Sequence, residues 1–403
     1  MPIALLALTI SAFAIGTTEF VIVGLLPTIA ADLGVNLPSA GLLVSLYALG
    51  VAVGAPLLTA LTGKLPRKTL LLSLMVLFTL GNLLAWQAPG YTSLIVARIL
   101  TGLAHGVFFS IGSTIATSLV SKEKAGSAIA IMFTGLTVAL VTGVPLGTII
   151  GQHFGWRATF LAVSALGVLA FLGSLAFVPR TIAHSKPASL LQQVQVLGEP
   201  RLLLVYAMTA VGYGGSFIAF TYLAPILQDI AGFSAGAVGA VMLVYGVSVA
   251  VGNIWGGKLA DSRGPIGALK IIFLGLAAVL FVLTFTAPHP RLVLATVLVW
   301  GAFAFGNVAG LQVYVVQQAG HFTPRAVDVA SGLNIAAFNL GIAGGAWGGG
   351  LIVEHLGLVH TGWIGGIVVL GALALTALSG RLDRRYPRDV PLGAPTKARV
   401  AAH

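Results

Sequence analysis

The sequence predicts an all-α integral membrane protein of twelve transmembrane helices, arranged as two six-helix bundles. Three observations lead there: an apolar composition, twelve apolar runs long enough to cross a bilayer, and a repeat relating the first half to the second. The 403 residues are 58% apolar and 8% charged, with a mean hydropathy of +1.03. A soluble domain carries about 25% charged residues, so the natural solvent of this chain is lipid. Its 52 glycines suit close helix packing in a bilayer. Cysteine is absent, which excludes a disulfide framework and thiolate metal sites. A net charge of +11 does not point to nucleic acid, because the basic residues lie between apolar runs instead of clustering on a soluble domain.

A span needs roughly 20 apolar residues. The first run extends from Ile3 to about Ile29 with no Lys or Arg before it. It is too long for the core of a cleaved signal peptide and is expected to be retained. The next five lie near 38–62, 69–87, 91–119, 125–150 and 156–178. Turn residues and charges separate them, as at Gly63–Lys68 and Ser121–Lys124. Pro179 to Arg201 is the longest connection, and Leu190, Leu191, Val194 and Leu197 recur in it at helical spacing. That pattern predicts a short helix on the membrane surface linking the halves. Six further runs lie near 202–228, 235–259, 267–286, 291–319, 327–352 and 360–380, with Arg263–Pro265 parting the eighth from the ninth. The expected organisation is a first bundle over 1–180, a cytoplasmic linker over 181–201, a second bundle over 202–380 and a cytoplasmic tail over 381–403.

Charge placement predicts the direction of insertion. With the N-terminus in the cytoplasm, inside loops and tail hold eighteen of the 21 Lys and Arg residues. They run from Lys64, Arg67 and Lys68, through Lys122, Lys124, Arg180 and Lys186, to Arg381, Arg384, Arg385, Arg388, Lys397 and Arg399 in the tail. Outside loops hold only Arg157 and Arg291, so the positive-inside bias puts both termini in the cytoplasm. Trp86, Tyr91, Trp156 and Trp363 then fall at the outer interface, where amphipathic rings are expected.

The halves repeat at an offset of 198 residues: Pro27 matches Pro225, Gly34 matches Gly232, Tyr47 matches Tyr245, and the string Val51–Gly54 recurs at Val249–Gly252. Parallel six-plus-six repeats point to a transporter whose site lies between the halves near the bilayer midplane.

Three motifs carry a family resemblance. After helix eight, Gly257-Lys258-Leu259-Ala260-Asp261-Ser262-Arg263-Gly264 resembles the G-x-L-A-D-R-x-G signature of the major facilitator superfamily. Glycine there lets helices approach, and an Asp at a helix end can meet an Arg or a neighbouring helix dipole. The matching loop after helix two keeps Lys64, Arg67 and Lys68 but has Gly63 in place of the acid. In helix five, Gly135, Gly143, Val144, Pro145, Leu146, Gly147 and Gly151 are similar to the glycine- and proline-rich motif of the drug:proton antiporter branch, with Val144 intervening between glycine and proline. The same residues would kink and thin a packing helix in any transporter. Helix one has Thr17-Thr18-Glu19-Phe20 and Gly24-Leu25-Leu26-Pro27, and helix four has Arg98-Ile99-Leu100-Thr101-Gly102-Leu103-Ala104-His105-Gly106. Together these resemble the arabinose- and sugar-efflux permeases, a group similar also to chloramphenicol and purine-nucleoside exporters.

The resemblance implies the major facilitator fold, alternating access and proton-coupled export of a small solute, sugar or drug-like, from a bacterial inner membrane by a monomer. The proton is the coupling ion and no organic cofactor is expected. Uptake by symport is the nearest rival, and a non-transporting receptor or scaffold is the rival from another class. The second needs a docking surface that these short loops do not offer. No phosphate-cradling G-x-x-x-x-G-K-[ST] loop and no cluster at metal-ligand spacing occurs, so neither ATP drive nor an enzyme is expected.

Glu19 is the one acidic residue deep inside a span. A charge at that depth costs about 2.5–3.5 kcal/mol, so it should face a cavity or a partner. It lies roughly 15 Å from the outer end of helix one and Arg98 roughly 10 Å from that of helix four, at about 1.5 Å per residue. His105 follows Arg98 by two turns and shares its face. Glu19, Arg98 and His105 form a candidate proton relay. Two plainer readings stand beside it: a structural Glu19–Arg98 ion pair, and an interior His105 donating to a carbonyl. Tyr213, Tyr222, Tyr245, Asn253, Asn307, Gln312, Asn334 and Asn339 are candidate cavity residues in the second half, some of which should instead join helices. Candidate gating residues are Gly143, Pro145, Gly147, Gly257, Asp261, Arg263 and Gly264.

Overall fold

The computed structural model describes residues 3–62, 64–121, 124–182 and 190–385. Gly63, Lys122, the linker stretch 183–189 with Lys186, and Arg388, Lys397 and Arg399 of the expected tail lie outside the described residues. The described elements are all helical. The first six spans are α1 (Ile3–Leu33), α2 (Leu37–Leu61), α3 (Arg67–Trp86), α4 (Tyr91–Ser118), α5 (Ala125–Phe154) and α6 (Trp156–Phe177). A linker helix, Leu190–Leu197, leads to α7 (Pro200–Ile230).

Next comes a single run of helical hydrogen bonding, Ala235–Thr286, of 52 residues. At about 1.5 Å per residue it would be ~78 Å long, more than twice the ~30 Å hydrocarbon core. It is broken at Gly264, whose φ of 70° and ψ of 161° lie where a side chain is not tolerated, and Pro265 follows. The arms 235–263 and 265–286 are therefore two spans, α8 and α9. They fold back beside one another, since Gly252 of α8 abuts Ala302 and Gly275 of α9 abuts Phe303 on the next helix. That helix is α10 (Pro290–Phe322), followed by α11 (Val327–His355) and α12 (His360–Arg385). Among the described residues, eleven helices long and apolar enough to cross a membrane thus make the expected twelve spans.

The repeat has a conformational basis. Gly34 after α1 and Gly232 after α7 both turn the chain in the left-handed region, at φ 64° and 76°. Gly155 after α5 and Gly357 after α11 do the same at φ 86° and 98°. Glycine ends a helix this way without a Cβ penalty.

For position in the membrane, the linker side and the far side are distinguished. On the linker side Gln193 Nε2 donates to Pro56 O of α2 at 3.1 Å, and Val196 is buried. Leu191, Val194 and Leu197 are exposed on the opposite face, the stripe of an interfacial helix. Trp86, Tyr91, Trp156 and Trp363 all lie at far-side helix ends.

Contacts between the bundles are concentrated in the far half. Ser45 Oγ of α2 donates to Ala343 O of α11 at 2.8 Å, and the Tyr222 hydroxyl of α7 sits against Gly41 and Gly350. Gly239 and Gly246 of α8 press on Ile149 and Leu140 of α5. Helix α2 is consequently sandwiched. Its opposite face meets α4 of its own bundle, where Gly50 and Gly102 bring the two backbones together.

Candidate functional site

Helices α1, α2 and α4 meet near mid-membrane, and the polar groups that the spacing singled out lie there together. Glu19, Arg98 and His105 are all buried, at 6%, 1% and 5% exposure. Gly102, on the Arg98–His105 face of α4, has no side chain to push α2 away; a methyl there would stand 3.1 Å from the Tyr47 carbonyl carbon.

The structural Glu19–Arg98 ion pair, the plainer alternative to a relay, is not formed. Arg98 instead donates Nη1 to Thr18 O at 2.7 Å, Nη2 to Glu19 O at 3.3 Å and Nε to Leu43 O at 3.2 Å. Its guanidinium also lies 4.0 Å from the centroid of the Tyr47 ring. The physical reason is directional: N–H donors on a planar fork can staple two adjacent helices through the second lone pairs of carbonyls that already accept a helical N–H. The Glu19 carboxylate faces His105 instead, with Oε2 3.9 Å from Nδ1. His105 is not bound to a carbonyl; its Nδ1 lies 3.0 Å from the Tyr47 hydroxyl.

Opposite this cluster the second bundle presents aromatic rings. Phe20, next to Glu19, packs against Phe217, Phe220 and Phe305 with ring centroids 6.2–6.5 Å apart. Tyr213 packs on Phe217, Phe305 and Phe338, within Coulomb reach of Glu19. Tyr245 stacks on Phe220 at 4.6 Å and meets Trp300 edge-on. Each pair of this kind adds about 0.5–1.5 kcal/mol beyond burial.

The other expected cavity residues divide. Tyr222 donates to Ala346 O at 3.2 Å in the far-side seam. Asn334 Nδ2 donates to Gln312 Oε1 at 3.0 Å and its Oδ1 accepts from Thr209 at 2.7 Å, while Gln312 also donates to Ser331 Oγ, so these two join α7, α10 and α11. Asn253 is half-buried and makes no side-chain hydrogen bond among the described residues. By contrast the Tyr245 hydroxyl, Asn307 Oδ1 and Asn339 Oδ1 are buried without a hydrogen-bond partner among the described residues. Groups of that kind cost free energy unless something satisfies them.

The helix-five residues form a joint. Pro145 cannot donate to the preceding turn, and the turn Ala139–Gly143 just before it is widened to a π-helix. Gly143 and Gly147 there seat Thr17 and Val21 of α1. In the α8–α9 corner Gly264 makes the break, and Asp261 meets no Arg there among the described residues. Asp261 and Arg263 are exposed and enter no ion pair among the described residues. Gly257 is loosely packed, with Ala309 Cβ 3.9 Å from where its own would stand.

Sequence reasoning missed Tyr47, whose signal was its repeat match to Tyr245. It also missed two clamps. On the far side Asp32 accepts from Trp156 Nε1 at 2.9 Å and Arg157 Nη1 at 2.6 Å. On the linker side Asp383 of α12 accepts from Arg201 of α7 and, at 2.8 and 3.0 Å, from Tyr314 and Gln318 of α10.

Twelve spans in two repeated bundles, packed together in the far half and carrying a buried acid at their junction, define a polytopic membrane transporter. The family model for the Major Facilitator Superfamily matches residues 8–326. The uncharacterized MFS-type transporter YtbD of Bacillus subtilis is 54% identical over 382 residues, covering 95% of this chain and 96% of that protein. The inner membrane transport protein YdhP of Escherichia coli K12 is 43% identical over 378 residues, 94% and 96% of the two chains. The putative transporter AraJ of the same organism is 32% identical over 392 residues, 96% and 98%. A solved bacterial homologue of the human lysosomal transporter Spinster, inward-facing and unoccupied, shares the fold with a TM-score of 0.75 at 16% identity, over 96% of this chain and 98% of that one. The chain belongs to the major facilitator superfamily.

Proposed function

We propose that the protein is a proton-coupled exporter of a small amphipathic solute and works by alternating access, with Glu19 as the proton carrier. One observation carries this reading: the Glu19 carboxylate is buried at mid-span while its potential counter-ion, Arg98, is bonded to backbone carbonyls. A carboxyl left without a guanidinium partner in low dielectric has a reason to gain and lose a proton during the cycle. Arg98 fixes the helices around it, and His105 is the group poised to answer its charge.

Of the two solute classes the resemblance implies, the aromatic cluster of Tyr213, Phe217, Phe305 and Phe338 at the bundle junction favours a drug-like aromatic molecule over a sugar. The unpartnered Tyr245 hydroxyl and Asn307 and Asn339 oxygens supply a few polar contacts to orient it. Gln312 and Asn334, occupied with each other, are not assigned to the solute. Export follows the antiporter-like α5 segment through Gly143, Pro145 and Gly147, and the charge bias supports a cytoplasmic linker side. The localisation proposed is a bacterial inner membrane, with a single chain as the working unit.

The test is proton flux. Purified protein is reconstituted with an entrapped pH dye, and sugars, nucleosides and amphipathic aromatic compounds are supplied against a pH gradient. An aromatic solute should discharge the gradient in wild type and not in Glu19→Gln. Equal proton flux and transport in Glu19→Gln would refute the assignment.

A further inference from the structure

His105 Nδ1 faces two oxygens and can hydrogen-bond only one at a time. The Tyr47 hydroxyl is at 3.0 Å, within hydrogen-bond range, and Glu19 Oε2 is at 3.9 Å, outside it. A movement of roughly 1 Å exchanges the two. Arg98 is not the donor to the carboxylate here: its Nε, Nη1 and Nη2 donate to the Leu43, Thr18 and Glu19 carbonyls. The titratable and charged groups around Glu19 are His105 and Arg98 on α4, Tyr47 on α2 and Tyr213 on α7. On α3, Asn82 is bonded to Thr18 instead.

Resting on Glu19 as proton carrier, we propose that Tyr47 is a positioning residue for proton exchange: its phenol oxygen holds the His105 Nδ1–H while Glu19 is protonated, and yields it to the Glu19 carboxylate when the proton leaves. The proton balance is simple. Glu19 gives its proton to water, and the same Nδ1–H breaks its bond to the Tyr47 oxygen and makes one to a carboxylate oxygen. His105 keeps its tautomer and no other proton moves. A charged acceptor forms a bond roughly twice as strong as a neutral one, so the charge on Glu19 sets the direction. With His105 on Tyr47, the observed geometry is the protonated half of the cycle.

Tyr47 is built to stay still while His105 moves. Its ring is capped by Arg98 at 4.0 Å, and its backbone is pressed against Gly102. His105 is flanked by Phe109 at 5.0 Å between ring centroids, an apolar surface over which it can slide. Two residues before Tyr47, on the opposite face of α2, Ser45 holds the far-side seam through Ala343. The acceptor in this exchange therefore sits on the helix that closes the far side.

Tyr47→Phe keeps the ring over Arg98 and removes the oxygen. In lipid nanodiscs the carboxylic C=O band of Glu19, assigned by its loss in Glu19→Gln, is titrated by difference infrared spectroscopy. Tyr47→Phe should move the midpoint at least tenfold towards higher proton concentration, because the protonated state loses its partner. The same change made in a His105→Met background should move it no further, whereas a purely structural role would shift both backgrounds. ¹⁵N spectra of labelled histidine in wild type should show the His105 proton on Nδ1, a readout independent of how any variant folds. A midpoint unmoved by Tyr47→Phe, or a proton found on Nε2, overturns the exchange and leaves Glu19 as carrier. No titrating band lost in Glu19→Gln overturns both.

Discussion

Gly246 of α8 lies where the two bundles touch α8 to α5, and adding one methyl there should push the transporter off its far-side-closed state. A Cβ at Gly246 would stand 2.8 Å from Leu140 C and 2.9 Å from Val141 Cα, both backbone atoms, whereas ordinary contact begins near 3.4 Å. The Leu140 carbonyl oxygen would be nearer still, so the helices would have to part by more than ~0.6 Å, which a packed seam resists at a cost of about 1–3 kcal/mol. That cost falls only on the state in which the seam is closed, so the equilibrium shifts by roughly 5- to 150-fold towards far-side opening. The protein has no cysteine of its own, and Ser45, buried at 8% exposure in the α2–α11 seam, is a position for a single reporter. A Ser45→Cys background should react faster with a maleimide when Gly246→Ala is added. Gly256→Ala is the control: its methyl would stand 2.6 Å from Gly306 C, but within one bundle, between α8 and α10. It should lower thermal stability without raising reactivity. Unchanged labelling in Gly246→Ala would refute the view that this seam closes the far side.

Two further outcomes are expected. Gly264→Ala should lose about 1–3 kcal/mol in thermal unfolding, because a φ of 70° with a ψ of 161° is open essentially to glycine alone; an unchanged melting temperature would mean the α8–α9 corner is made differently. Asp383→Asn should be destabilising by about 3–5 kcal/mol, since it leaves the Arg201 guanidinium without its counter-charge where α7, α10 and α12 converge. Urea or heat denaturation that shows less than 1 kcal/mol would show that Ser379 and Phe322 suffice to hold Arg201.

The fold was legible because lipid enforces a simple code. Every spanning segment must be long, apolar and helical, so α3 begins and ends within two residues of the expected 69–87. The hydrogen-bond pattern across Gly264 could not be foreseen, since a Gly-Pro corner ordinarily ends a helix. At the site, the seven-residue interval on α4 put Arg98 and His105 on one face, and the depth of Glu19 brought it to their level. What spacing cannot encode is which acceptor a donor selects. Arg98 chose carbonyls of α1 and α2 that every residue carries, and so left no mark in the sequence. The Asp32 and Asp383 clamps were equally silent: their partners lie 124 and 182 residues away.

The three carbonyls that hold Arg98 also fix the charge of the interior. A guanidinium stays protonated throughout, so the α1–α2–α4 junction is neutral when Glu19 is ionised and carries one net positive charge when Glu19 is protonated. A proton arriving there does more than occupy a carboxyl: it makes the junction repel cations. A positively charged solute and a proton would then exclude one another without touching the same atom, and antiport of such a solute would need no shared binding group. The same arithmetic gives a neutral solute no such exclusion, so it would have to be coupled through shape, by way of α2 and the seam it closes.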